Sequence, residues 1–308
     1  MIDLDSIKAF VAVAETGSFS IAAGRLHLTQ PAVSKRIAML EGQMDVRLFD
    51  RIGRTITLTE AGRELAPRAR HILHEVDDTQ RAIRNLNGAI AGRLSLATSH
   101  HIGLWRLPRV LKAYSEQFPE VALDLHFMDS EVAHEQIKQG NLELGIITMA
   151  PHRHSRLTAH PVWTDELVFV CAPDHTLSQF DQISLAQIAG YPAILPDMST
   201  FTGRIVKQLF EDQGLAINAS MSTNYLETIK MLISIGLGWS VLPRSMLDTN
   251  THILRLPDVS ITRQLGVIHH VQRTLSNAAR AFMALLAEHG DATLANASLH
   301  QEHDKKPR

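Results

Sequence analysis

The chain has 308 residues, of which 45% are apolar and 20% charged, and its formal net charge is −2. That length points to two or more domains, and that composition to folded cores instead of a disordered chain. The small negative charge excludes a polycation, so any contact with nucleic acid has to be local. No apolar run reaches the roughly 18 to 20 residues a membrane span requires. The opening MIDLDSIKAFVAVAE has two aspartates and spaced apolar residues, whereas a secretory leader has a basic start and a continuous apolar core. The expectation is a cytoplasmic protein with no membrane partner. The single Cys171, in LVFVCAP, excludes an internal disulfide and reads as a buried structural thiol or, alternatively, a redox switch.

In chain order, residues 4–15 place Leu4, Ile7, Phe10, Val11 and Ala14 at helical spacing before a stop at Gly17. A second short helix follows Ser18 or Ser20 through IAAGRLHL. Thr29 then offers an N-cap and Pro31 stands in the first turn of a third helix that runs to Glu41. VRLFDRIGRTITLTE gives two β-type runs around Ile52, Gly53 and Arg54, a hairpin wing. From Thr59 to about Gly88 a long helix carries Leu65, Ala69, Ile72, Val76, Thr79, Ile83 and Leu86 in threes and fours. So narrow an apolar seam needs a partner, and an identical chain is the simplest one. Asn87, Gly88 and Gly92 mark a hinge.

Beyond residue 92, strands and helices alternate. RLSLATS, VALDLHFM, LELGIIT, ELVFVCAP, AILPDMS, SVLPR and LGVIHH read as strands. LPRVLKAYSEQF, EVAHEQIKQ, FTGRIVKQLFEDQG, NYLETIKMLISIG and SNAARAFMALLAEHG read as helices, and a polar tail follows from Asp291. The alternation predicts an α/β architecture with ligand sites where strand ends meet helix starts.

Two sets of residues stand out. On the third helix, at 100 degrees per residue, Val33, Ile37 and Leu40 face inward while Pro31, Ser34, Lys35 and Ala38 face outward. The outward face is short and suits a major groove about 12 Å wide. Gln30 is placed for a base edge, most naturally adenine, and Ser34 for base or phosphate. Lys35 and Arg36 suit phosphates, and Arg51 and Arg54 in the wing suit the flanking backbone. From Arg25 to Arg54 there are six Lys or Arg against Glu41, Asp45 and Asp50, a basic island of +3. The competing reading is a solvated helix face.

The second set lies at strand ends. Ser99, His100 and His101 stand between a strand and a helix, Thr148 ends another strand, and Ser199, Thr200 and Thr202 precede a further helix. Hydroxyls, imidazoles and free backbone N–H groups there can receive a carboxylate or oxyanion. Each hydroxyl alone also reads as a helix cap. The other histidines, His152 and His154, His269 and His270, His300 and His303, lack the Cys or carboxylate companions of a closed metal site. GxSxG, HExxH and GxxxxGK[ST] are absent, so no catalytic residue, metal or cofactor is assigned.

The segment AFVAVAETGSFSIAAGRLHLTQPAVSKRIAMLEGQMDVRLFDRIGRTITLTEAG resembles, nearly position for position, the winged helix-turn-helix of LysR-type transcriptional regulators. The likeness continues through the long helix to GLGWSVLP at 236–243 and so covers essentially the whole chain. It implies a multidomain fold: an all-α winged helix-turn-helix (1–58), a linker and dimerisation helix (59–91), and an effector-binding α/β domain (92–291) similar to type 2 periplasmic binding proteins. Lobe I would comprise 92–162 and 267–291, lobe II 163–266, with a flexible tail at 292–308. The implied partners are double-stranded promoter DNA, a small-molecule effector, a second copy through the linker helix, a homotetramer, and RNA polymerase. ATSH and FTGR are similar to the anion-pocket segments of the family's sulfur-metabolism members, which carries hydroxyl-ligand roles to Ser99, Thr148 and Thr202. Here bulky His101 and Ile102 replace smaller or polar donors.

Two other classes compete. One is a two-lobed solute-binding protein or small-molecule enzyme with the N-terminal helices as an oligomerisation arm, against which stand the missing export signal and the missing nucleophile or cofactor motif. The other is an architectural repressor without an effector.

Overall fold

The computed structural model describes residues 2–52, 55–85, 88–152 and 154–291. The chain divides into two compact units at Gly88/Ala89.

The first unit holds α1 (Leu4–Thr16), α2 (Phe19–Arg25), α3 (Gln30–Met44), β1 (Phe49–Ile52), β2 (Thr55–Leu58) and α4 (Glu60–Asn85). Local chemistry sets its boundaries. The Asp3 carboxylate accepts the Ser6 N–H and caps α1, which ends at Gly17 with φ of 60°. Ser18 caps α2, and Thr29 caps α3 with Pro31 in its first turn. Ile7, Phe10 and Val13 of α1, Val33, Ile37 and Leu40 of α3, and Leu65, Ala66 and Ala69 of α4 close one core with Phe49. Gly62 lets α4 pass under the hairpin: a Cβ there would lie 2.2 Å from the Leu48 carbonyl oxygen. Leu65 and Ala69 therefore belong to the unit's own core, and the seam expected along α4 does not start there. Further along, Ile72 and Ile83 are 42% and 63% exposed. Leu86 and Asn87 lie outside the described residues.

The second unit contains β3 (Gly92–Thr98), α5 (His100–Trp105), α6 (Leu107–Gln117), β4 (Val121–Phe127), α7 (Ser130–Lys138), β5 (Leu144–Thr148) and β6 (Leu157–Cys171). It continues with α8 (Leu185–Ala189), β7 (Ala193–Leu195), α9 (Phe201–Glu211), β8 (Ala219–Ser222), α10 (Leu226–Ser234), β9 (Ser240–Pro243), β10 (His252–Ile253), β11 (Ile261–His270) and α11 (Asn277–Glu288). The main sheet runs β10-β6-β11-β5-β3-β4, with β9 also on β6, and β7 pairs β8 separately. β3, β4 and β5 are mutually parallel, whereas β6 and β11 are antiparallel to each other and long enough to serve two lobes. One lobe packs Leu94, Leu96, Tyr114, Ile146 and Phe282 together; the other packs Phe169, Phe210, Trp239 and Val241. Between them the β6/β11 register shifts, so that Leu265 faces Trp163 and Gly266 faces Pro161, with Val162 bulged out.

Several element boundaries differ from the sequence reading. β6 begins at Leu157, nine residues before ELVFVCAP, although it contains Pro161. Pro161 is tolerated because β9 and β10 pair only with residues 167–171, leaving the first half of β6 an edge strand. β11 begins at Ile261 instead of Leu265, concealed in the sequence by Arg263, a charge on the inward face. The strand expected through 199 stops at Leu195 before Pro196. β8 carries four exposed residues and gives no alternating pattern to detect. Asp291, read as part of the tail, accepts the Thr164 N–H at 2.7 Å; residues 292–308 lie outside the described residues. Cys171 is fully buried and burial pushes its thiol up to about 11, in keeping with a protonated structural thiol.

Candidate functional site

In the first unit, α3 is set on its core by the fully buried Val33, Ile37 and Leu40. Gln30, Pro31, Lys35 and Ala38 are exposed and Ser34 is partly so. The Thr29 hydroxyl accepts the Ala32 N–H at 3.4 Å, and the Gln30 amide donates to Ser34 Oγ at 2.9 Å. Arg36 turns toward α1 and pairs with Asp5 at 3.0 Å. Arg51 stands in β1 with its side chain outside the described residues, as is all of Arg54.

In the second unit, six of the seven strand-end residues line one cavity of about 360 Å³: Ser99, His100, His101, Thr148, Thr200 and Thr202. Ser199 does not join them, because its hydroxyl donates to Asp197 Oδ1 at 2.6 Å. The hydroxyls differ in what they do. Thr200 Oγ1 caps α9 by accepting the Gly203 N–H at 2.9 Å, while Ser99 heads α5 without capping it. Thr202 accepts from Arg263 Nη1 at 2.8 Å, and the Thr148 N–H donates to Ser130 Oγ at 3.1 Å.

Sequence reasoning missed the charges beneath. Arg263 of β11 and Asp165 of β6 face each other in register, are both buried, and form two hydrogen bonds of 3.2 and 2.9 Å. Arg106, lying over the Trp163 ring, adds a contact of 2.6 Å to the same carboxylate. His101 Nε2 stands 3.5 Å from Asp165 Oδ2, and its Nδ1 has no hydrogen-bond partner among the described residues although the residue is only 4% exposed. Burial would raise the Asp165 carboxyl, but His101, Arg263 and Arg106 together hold it well below the usual carboxylate range. Burial pushes the His101 imidazole below its ordinary value despite Asp165, and Arg263 adds to that. Two arginines against one carboxylate leave this cluster one positive charge with His101 neutral. The available signal was period two: in TDELVFV and ITRQLGV, Asp165 and Arg263 fall on the same face as buried Leu167 and Leu265.

The cavity walls are mixed. His100 meets Phe127 and Tyr225 edge-on at 5.7 and 5.3 Å. Across the lobes the Asn224 amide donates to Asp129 at 2.7 Å and Trp105 Nε1 to Glu227 at 2.9 Å. The Glu131 carboxylate accepts from the Phe201 N–H. Among the described residues, no group of three or more His, Cys, Asp or Glu is arranged to hold a metal ion.

Comparison with known proteins decides what these units are. Residues 4–63 match the bacterial regulatory helix-turn-helix protein, lysR family, and residues 87–291 match the LysR substrate binding domain. The chain belongs to the LysR family of transcriptional regulators. It is 32% identical over 287 residues to the uncharacterized HTH-type transcriptional regulator YeiE of Escherichia coli K12, covering 92% of this chain and 96% of that one. Two solved structures share the fold of this LysR-family chain. CbnR complexed with its target DNA has a TM-score of 0.62 at 22% identity, covering 94% of this chain and 98% of that one. The effector binding domain of QuiR in complex with shikimate has a TM-score of 0.59 at 18% identity, covering 65% and 97%. The chain is thus a DNA-binding transcriptional regulator with an effector-binding domain. None of the helices described is long and apolar enough to cross a membrane.

Proposed function

We propose that α3 reads promoter DNA in the major groove and that a small organic anion, bound between the two lobes, controls the regulator. The observation that carries this reading is the cavity, where hydroxyls from both lobes meet the buried His101, whose Nδ1 lacks a hydrogen-bond partner among the described residues, beside Arg263 and Arg106 against Asp165. Gln30 and Ser34 address bases, while Lys35, Arg36, Arg51 and Arg54 hold phosphates. Arg36 is paired with Asp5 through one Nη, which leaves its other N–H donors for a phosphate. QuiR's shikimate, a carboxylate, supports the ligand class assigned here.

Residues 1–58 form the reading domain, 59–91 the linker, 92–162 with 267–291 lobe I, and 163–266 lobe II. The bulge at Val162 supports the lobe boundary at 162/163. The exposed Ile72 and Ile83 support pairing of two chains along α4, which presents two copies of α3 to an approximately palindromic operator. Dimers associate into a tetramer that acts on RNA polymerase in the cytoplasm, without catalysis. An effector preferring one lobe arrangement then shifts the spacing of the reading helices.

The test is fluorescence anisotropy of the chain's own upstream DNA across a salt series, repeated with shikimate and inorganic oxyanions. Binding whose logarithm falls linearly with log salt, and whose affinity or DNA bending changes with one anion, is expected. Salt-independent binding would sink the groove assignment, and indifference to every anion would sink the cleft assignment.

A further inference from the structure

One wall of the cleft is the chain's own carboxylate. Glu131, in the first turn of α7 in lobe I, reaches the Phe201 N–H, the first amide of α9 in lobe II, 70 residues on. α9 has 11 residues, and the amides of its first turn lack intrahelical partners at the positive end of the helix dipole. Thr200 Oγ1 takes the Gly203 N–H, so Glu131 holds the amide that an incoming anion would meet.

A second observation points to a ligand in the same cavity. His101 is buried and lines the cavity; its Nε2 faces Asp165 Oδ2 at 3.5 Å, while its Nδ1 has no hydrogen-bond partner among the described residues. Buried polar atoms without partners are rare in folded proteins, so an Nδ1 in this state points to a group that arrives from outside. Phe127 and Tyr225, 51% and 55% exposed, add apolar ring surface to the cavity lining. The volume of about 360 Å³ suits a small organic acid, since small-molecule sites span about 300–1,000 Å³.

Charge decides whether Glu131 and a bound carboxylate can coexist. Arg106 and Arg263 exceed Asp165 by one positive charge, but Asp129 and Glu131 both line the same cavity, so these carboxylates already outnumber the two cations by one. A further carboxylate beside Glu131 would deepen that negative charge in a partly desolvated cavity and would compete for one N–H donor. We propose that Glu131 is an internal competitor: its carboxylate occupies the anion position at the start of α9, and an organic carboxylate binds by displacing it, with its body against Phe127 and Tyr225 and a polar substituent on His101. This rests on the cleft being the effector site.

The experiment uses the full chain with acetate and benzoate at constant ionic strength. Glu131→Ala removes the carboxylate, and Glu131→Gln removes its charge with little change of shape and carries the test should the alanine variant not fold. Without added anion, Glu131→Ala melts below wild type. Acetate, the group truncated from the side chain, restores its melting temperature while leaving wild type unmoved. By calorimetry, benzoate binds both variants at least about tenfold more tightly than wild type, as expected on relief of a close like-charge contact. Equal benzoate affinity in wild type and Glu131→Gln would overturn the competitor while leaving the effector cleft standing. Absence of both benzoate binding and acetate recovery in all three chains would overturn the competitor together with the carboxylate reading of the cleft.

Discussion

The reading face of α3 and the charged floor of the cleft both present polar groups, and they are built in opposite ways. Gln30, Ser34 and Lys35 lie within two turns of one helix, at the surface, over an apolar base. Asp165 and Arg263 come from strands 98 residues apart and are buried together with His101. Surface side chains can therefore be exchanged on α3 with little effect on folding, whereas the cleft's charges hold the two lobes' shared strands in register. A site that must touch a polyanion can be local and solvated. A site that must enclose a small molecule needs polar groups away from water, and those require partners from elsewhere in the chain.

The contrast can be broken by mutation because the two units carry different reporters. Trp105, Trp163 and Trp239, all the tryptophans of the chain, lie in the second unit, so indole fluorescence follows that unit alone while circular dichroism follows both. The largest effect is expected from Asp165→Ala, which strands the guanidinium groups of Arg106 and Arg263. It should lower the stability seen by fluorescence in urea by about 3–5 kcal/mol, and the double change Asp165→Leu with Arg263→Met should lose far less. A loss as large in the double variant would mean that packing, and not the uncompensated charge, is what matters there.

Next comes pH. His101 titrates below its ordinary value in the folded state, so the unfolded chain binds its proton first on acidification. The stability it contributes is complete above about pH 6.5, its unfolded value, and declines as pH falls below that, with a slope of at most about 1.4 kcal/mol per pH unit. His101→Gln should flatten that part of the fluorescence stability profile; an unchanged slope would assign it to other histidines.

On the α3 side, Thr29→Ala should cost about 1 kcal/mol in the dichroism transition and leave the fluorescence transition in place. The smallest folding effect belongs to Lys35→Ala, within about 0.5 kcal/mol, combined with weaker promoter binding and a salt slope reduced by about 1. Unaltered binding and slope would remove Lys35 from the interface.

The same contrast explains what could be read from the residues alone. Caps, turns and the helical period act over a few positions, so the starts of α1 and α3 and the inward trio Val33, Ile37 and Leu40 follow from the sequence, whereas α2 ends at Arg25 instead of running through Leu28 and α3 continues past Glu41 to Met44. Strand-end hydroxyls were legible as a class because they sit beside pattern breaks, and Ser199 was misplaced among them because a hydroxyl's choice between a cavity and a neighbouring Asp197 depends on rotamer. Arg263 and Glu131 were not legible. A charged residue in a strand reads as solvated unless its opposite number is known to face it, and Asp165 is known to face Arg263 only once β6 and β11 pair. Pro161 hid half of β6 for a similar reason, since its missing N–H matters only if a neighbour strand lies on that side.

The Gln30–Ser34 hydrogen bond has a further consequence on the groove-reading proposal. A carboxamide has two N–H donors and a carbonyl oxygen, and Ser34 engages only one of those donors. The remaining N–H and the oxygen still form the pair that an adenine edge accepts and donates to. Ser34 thereby holds the Gln30 side chain in one rotamer before DNA arrives, sparing part of the roughly 1.5–2 kcal/mol of side-chain entropy that an unrestrained Gln gives up on being immobilised. A serine that touched no base would in this way still strengthen base reading, by having its neighbour wait already extended along the helix face.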